Sequence, residues 1–108
     1  MTDRIPVARR EAALLARRAE LQARITAVEA ELDSHTNPDW EELATERETD
    51  EVLEAEGLAA QAELRAIEAA LGRILSGDYG FCTRCGGEIA AGRLDTLPAT
   101  PFCNHCAA

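Results

Sequence analysis

The chain is predicted to be mainly α, a long antiparallel two-helix coiled-coil hairpin followed by a small cysteine-bearing module, and three observations predict it. Its 108 residues are rich in Ala, Leu, Glu and Arg and hold only two Phe, one Trp and one Tyr, a composition that favours long helices over sheet. Apolar residues recur at three-, four- and seven-residue steps in two segments separated by one polar cluster, the period of a helix with one buried face. Two C-x-x-C pairs then stand near the end.

The first helix is expected from about Val7 to Leu32, a stretch without Gly or Pro in which Leu14, Leu21, Ile25, Val28 and Leu32 form one stripe. Asp33 to Pro38 is polar, and Asn37 can cap a second helix with Pro38 in its first position. The second stripe, Leu43, Leu53, Ala60, Leu64, Ile67, Leu71 and Ile74, ends at Ser76-Gly77-Asp78, where breaker residues cluster. Five or six linking residues make the helices antiparallel neighbours with facing stripes. Pairing Leu32 with Leu43 gives a register in which facing positions sum to about 75, and arms of roughly 50 Å at 1.5 Å per residue. Between Leu43 and Ala60 the second helix offers little beyond Val52 and Leu53, with Gly57 in its middle, so the half nearer the turn is expected to be the weaker half. The hairpin is assigned to residues 1–76, with an acidic tip near 33–44.

The net charge of −9 is unevenly distributed: residues 34–75 carry three Arg against eleven acids, and the sequence contains no lysine. Nucleic-acid affinity rests mainly on Lys and Arg displacing counterions, so a protein partner is expected rather than DNA read by sequence. No run of about 18 apolar residues could span a bilayer, and the N-terminus lacks the apolar stretch of a secretory signal. A cytoplasmic location is expected, and there paired cysteines point to metal rather than to disulfides.

Cys82 and Cys85 are followed, seventeen residues later, by Cys103 and Cys106. Two residues between thiolates let one tight turn deliver two sulfurs, and two such turns complete a tetrahedron around one Zn2+ ion. Gly86 and Gly87 suit the first turn. Four sulfurs leave no open position for water or substrate, so the zinc is structural. Phe81, Ile89, Leu94, Leu97 and Phe102 are the module's candidate core, too small to fold alone, and metal binding supplies the difference. His105 is expected to face solvent rather than to replace a cysteine. The module is assigned to 77–108, as a C4 zinc finger.

The hairpin followed by Asp78-Tyr79-Gly80-Phe81-Cys82-Thr83-Arg84-Cys85-Gly86, then Ile89, Arg93-Leu94, Pro98 and Cys103-x-x-Cys106, resembles the DksA/TraR family of bacterial transcription regulators. The resemblance covers roughly residues 37–106, and the first helix matches in general character only. It implies that the coiled coil enters the secondary channel of RNA polymerase, with its acidic tip acting near the active site, without contact to specific bases and without catalysis. Counting back from the first zinc cysteine, the family's tip motif Asp-x-x-Asp-x-Ala falls on Asp39, Glu42 and Ala44, with Glu in place of the second Asp. Trp40, an aromatic at the outer end of a thin hairpin, is a candidate contact residue beside them. The sequence ends two residues after Cys106, without the C-terminal helix of longer members. Basic residues there and near the module help the family bind guanosine tetraphosphate, and with few candidates besides Arg93 that response is doubtful.

The same acids have an independent physical reason to be where they are, since Asp39, Glu41 and Glu42 in a first helical turn meet exposed N–H groups and the positive end of the dipole. Alternatives to a polymerase-binding regulator are a zinc-stabilised coiled-coil adaptor or scaffold and, less favoured by the charge, a zinc-finger nucleic-acid binder. An enzyme is not expected: there is no open metal site, phosphate loop or nucleophile beside a base.

Overall fold

The computed structural model describes residues 7–34 and 40–107, and the side chains of all of these except 40–46. Among the described residues three helices follow one another, α1 (Val7–Asp33), α2 (Trp40–Ser76) and the short α3 (Ala91–Thr96). Among the described residues there is no strand beyond one isolated antiparallel bridge between Phe81 and Glu88. The expected cap at Asn37 and Pro38 lies outside the described residues.

Both long helices are closed locally. At the end of α1 the Ser34 N–H and hydroxyl both donate to the Glu31 carbonyl, at 3.2 and 2.8 Å. At the end of α2 the Gly77 N–H reaches the Ile74 carbonyl (3.2 Å) and the Asp78 N–H the Arg73 carbonyl (2.9 Å). That pair of bonds is a Schellman closure, and it requires a left-handed residue after the last turn. Gly77 supplies it with φ 82°, and the Ser76 hydroxyl donates to Asp78 Oδ2 at 2.9 Å.

The chain divides into two compact units, Ala19–Leu64 and Met1–Arg18 with Arg65–Ala108. In the Ala19–Leu64 unit, Leu21, Val28 and Ala60 are buried, while Ile25, Leu32, Leu53, Gly57 and Leu64 are half-buried. Val28 Cγ1 lies 3.6 Å from the place a Cβ would occupy on Gly57, so facing positions there sum to 85. The expected sum of about 75 is therefore wrong by ten residues, close to three helical turns. The physical reason is what each register would bury. At 75, Val28 and Ile25 would be level with Arg47 and Asp50; at 85 they are level with Gly57 and Ala60. Leu32 is then level with Leu53 and Leu21 with Leu64, so apolar positions of the two stripes face each other in this unit.

In the second unit Leu14, Ile67 and Ala70 are buried along the helices, and Arg18 Nη1 lies 3.9 Å from Glu68 Oε1. Tyr79, Cys82, Ile89 and Leu94 extend this core into the module. Phe81, Leu97 and Phe102, expected in that core, are 44%, 47% and 36% exposed. Tyr79 takes their place because its ring is buried while its hydroxyl donates to the Pro98 carbonyl at 2.8 Å, which satisfies the one polar atom that burial would strand. Arg10 is also buried, with Nη1 3.1 Å from Asp95 Oδ1, so an ion pair ties α1 to α3.

Val52 and Leu58 are 58% and 67% exposed, and α2 nevertheless runs unbroken through Gly57.

Candidate metal centre

The first cysteine pair sits on a tight reversal. Cys82 N–H donates to the Gly87 carbonyl (2.8 Å), Gly86 N–H donates back to the Cys82 carbonyl (2.9 Å), and Ile89 N–H reaches the Gly80 carbonyl (2.8 Å). Gly80 and Gly86 have φ 91° and 77°, values that L side chains rarely adopt. A Cβ on Gly87 would lie 3.5 Å from Cys85 Sγ, so the chain passes close behind that sulfur. The second pair repeats the turn more simply, with Cys106 and Ala107 N–H groups on the Cys103 carbonyl at 3.2 and 3.0 Å.

Two residues of the first turn bind the second, and Arg93 fixes the second from α3. Thr83 N–H donates to the Pro101 carbonyl (2.9 Å), and Arg84 Nη1 donates to the Cys106 carbonyl (3.3 Å). Arg93, projecting from α3, donates to the Phe102 carbonyl (2.9 Å), Asn104 Oδ1 (3.2 Å) and Thr100 Oγ1 (3.4 Å). A guanidinium with several donors in a fixed fork can hold three acceptors of one loop at once. The sequence marked Arg93 as a motif position and a basic residue but not as a clamp, because bonds made across seven to eleven residues leave no local pattern.

The sulfurs of Cys82, Cys85, Cys103 and Cys106 lie within 4.8 Å of one another, and all four cysteines are free. Cys85 Sγ and Cys103 Sγ are 3.8 Å apart. A tetrahedral ion with Zn–S bonds of about 2.3 Å has an edge of about 3.8 Å, whereas a disulfide needs about 2.05 Å. The donor set and its spacing therefore fit one zinc ion held by all four thiolates. Such an ion supplies cross-linking rather than chemistry, since no coordination position remains open. His105 is exposed and outside the cluster.

As thiols, Cys82, Cys103 and Cys106 are unequal. Burial pushes the Cys82 thiol up, but hydrogen bonds from the backbones of Cys103, Cys85 and Arg84 outweigh it and hold the group down at about 6. Cys103 is lowered by the backbone of Cys106, against the opposing effect of burial. Cys106 is pushed up to about 12, first by its hydrogen bond with Cys103 and then by that with Cys82. Backbone donors aimed at sulfur stabilise thiolate, the form that binds metal.

Of the expected polymerase-facing tip, Asp39 lies outside the described residues. Trp40, Glu42 and Ala44 belong to the start of α2, where the backbone is helical.

Residues 11–74 match the DnaK suppressor protein-like N-terminal domain, and residues 77–108 match the prokaryotic dksA/traR C4-type zinc finger. The chain belongs to the DksA/TraR family. Its last 32 residues are thus a C4 zinc finger whose four cysteines are positioned to bind one metal ion. An uncharacterized protein of Aquifex aeolicus is 42% identical over 69 residues, which cover 64% of this chain and 48% of that protein. The RNA polymerase-binding transcription factor DksA of Haemophilus influenzae is 37% identical over 43 residues, covering 40% and 30% respectively. The chain thus spans about half or less of these curated relatives. Among solved structures, DksA2 from Pseudomonas aeruginosa superposes with a TM-score of 0.82 at 32% identity, covering 91% of this chain and 77% of that one. The solution structure of a DnaK suppressor protein from Agrobacterium tumefaciens gives 0.68 at 45% identity, covering 99% and 96%. This DksA/TraR member is related to a family of transcription factors, and no described helix is long and apolar enough to cross a membrane.

Proposed function

We propose that this chain is a cytoplasmic, non-catalytic transcription regulator that binds bacterial RNA polymerase. Its coiled-coil tip enters the secondary channel, and its zinc finger, residues 77–108, is the structural base. The observation that carries this reading is that both parts of the chain match the family, residues 11–74 its N-terminal domain and residues 77–108 its C4 zinc finger. Asp39, Glu42 and Ala44 are assigned to the tip by counting back from Cys82. Kinship with an RNA polymerase-binding factor supports the partner.

Glu42 carries its carboxylate one methylene further than Asp and reaches a different point beside a metal-bound active site. Arg93, the one basic candidate singled out for guanosine tetraphosphate, is engaged by Phe102, Asn104 and Thr100, so a response to that nucleotide does not rest on it.

The test is co-purification and multi-round transcription with bacterial RNA polymerase, comparing the wild type with Asp39→Asn. The variant is expected to bind and to lose most of the effect on transcript yield. A wild type that does not bind, or two proteins with identical transcription, would favour a coiled-coil adaptor instead.

A further inference from the structure

Within the Ala19–Leu64 unit, a groove opens where α2 passes α1 at Gly57. Ile25, Val28 and Leu32 of α1 and Leu58 of α2 line it, and Glu29 and Glu54 stand at its edges. Leu58 is 67% exposed, and both glutamates are exposed. The groove exists because position 57 has no side chain. Nothing in the packing demands that: α2 is helical there, and a Cβ would meet Val28 Cγ1 at 3.6 Å, an ordinary contact. A glycine in a helix interior lowers stability by about 1 kcal/mol relative to alanine. This position therefore gives up stability and keeps an apolar notch open to solvent.

We propose that the groove beside Gly57 is a docking site for an apolar side chain carried on a cationic, amphipathic segment of a partner protein. The charge of the unit selects the occupant. Residues 19–64 hold two Arg against fourteen Asp and Glu, a net −12, whereas the other residues hold nine Arg against six acids, a net +3. A second copy placed on this face would bring like charge against like, and nucleic acid or an anionic membrane surface would be repelled in the same way. A segment with Lys or Arg flanking a Leu, Ile or Met satisfies both features, with the apolar group in the notch and the cations against Glu29 and Glu54. The proposal deepens the polymerase reading by naming the chemistry of the segment this face meets, and it rests on that reading only for the partner's identity.

The experiment measures binding of the full zinc-loaded chain to bacterial RNA polymerase and, in parallel, to a synthetic amphipathic Leu/Arg peptide. The proteins are the wild type, Gly57→Leu, the double reversal Glu29→Lys with Glu54→Lys, and Ala23→Leu as an exposed α1 control. Gly57→Leu fills the groove while favouring helix, so circular dichroism and the melting temperature are expected to be preserved or raised. Its binding to both probes is expected to fall about tenfold or more, the size of one lost anchoring contact. The charge reversal should weaken both and flatten their salt dependence, and the control should change neither. Peptide binding that Gly57→Leu abolishes, with no polymerase binding by any protein, supports the groove and removes the polymerase reading. Unchanged binding of Gly57→Leu to both probes, or a wild type that binds neither, overturns the groove.

Discussion

Cys82 and Cys106 show how a site of four identical residues becomes chemically uneven. Cys82 is buried among backbone donors and held at about 6, while Cys106 is pushed up to about 12 by the thiols it faces. Metal binding needs all four as thiolates, so zinc entering at neutral pH must expel at least the Cys106 proton. The lowered value of Cys82 favours the folded module above its ordinary 9.0, and that contribution is lost as pH falls through about 6. The raised value of Cys106 acts in the opposite sense, favouring the protonated, ion-free fold below 9.0 and losing that effect as pH rises through about 12. Zinc competes with the Cys82 proton only below about pH 6 and with the Cys106 proton up to about 12, so zinc affinity climbs with pH and falls most steeply below about 6. Zinc release followed with a chromophoric chelator is expected to be negligible at pH 8 and to set in below about pH 6; equal retention at pH 5 and pH 8 would contradict this. Arg10 is the other residue whose environment decides its role. Its guanidinium is buried, while its partner Asp95 is 44% exposed. Replacing Asp95 by Ala should destabilise the fold by about 2 kcal/mol, less than for a fully buried pair, measured by urea denaturation.

Along α2 two glycines have opposite meanings. Gly77 closes the helix with φ 82°, and an L side chain there is strained by roughly 1–2 kcal/mol. Gly57 lies in regular helix with room for a methyl group. Gly77→Ala should therefore lower the urea midpoint, while Gly57→Ala should raise stability by up to about 1 kcal/mol. A matched loss at both positions would mean that Gly57 too is held by its backbone. The same helix explains how the register is set. Heptad-like stripes can slip past one another in whole turns, and the offset that wins places Ala60 and Leu64 rather than Asp50 and Glu54 against Ile25 and Leu21. Ala60, buried on α2, fits in that offset where a larger side chain would hold the helices apart.

The chain separates its charge between its two compact units, net −12 in residues 19–64 and net +3 in the rest. One unit is an acidic helical pair in which, among the described residues, Leu21, Val28 and Ala60 are buried. The other adds Tyr79, Ile89 and Leu94 from the zinc finger to a helical core, and zinc binding in small metal-folded peptides supplies about 10–16 kcal/mol. Chelation at neutral pH is expected to remove amide hydrogen-exchange protection from residues 79–107 first. Loss of protection at Leu21 and Ala60 ahead of the module would refute that order.

Local rules were enough for the span of α1, the end of α2 at Ser76 and the metal set Cys82, Cys85, Cys103 and Cys106, but not for the short α3. Periodicity, helix caps and C-x-x-C turns act over a few residues and leave their trace in consecutive positions. Tertiary packing alone decided the offset of α2 against α1, the exposure of Phe81 and Phe102, the clamp made by Arg93 and the meeting of Arg10 with Asp95. A repeating stripe is compatible with several offsets, and residues 85 positions apart share no local pattern. The free energy that selects among those arrangements exists only once both surfaces are in contact.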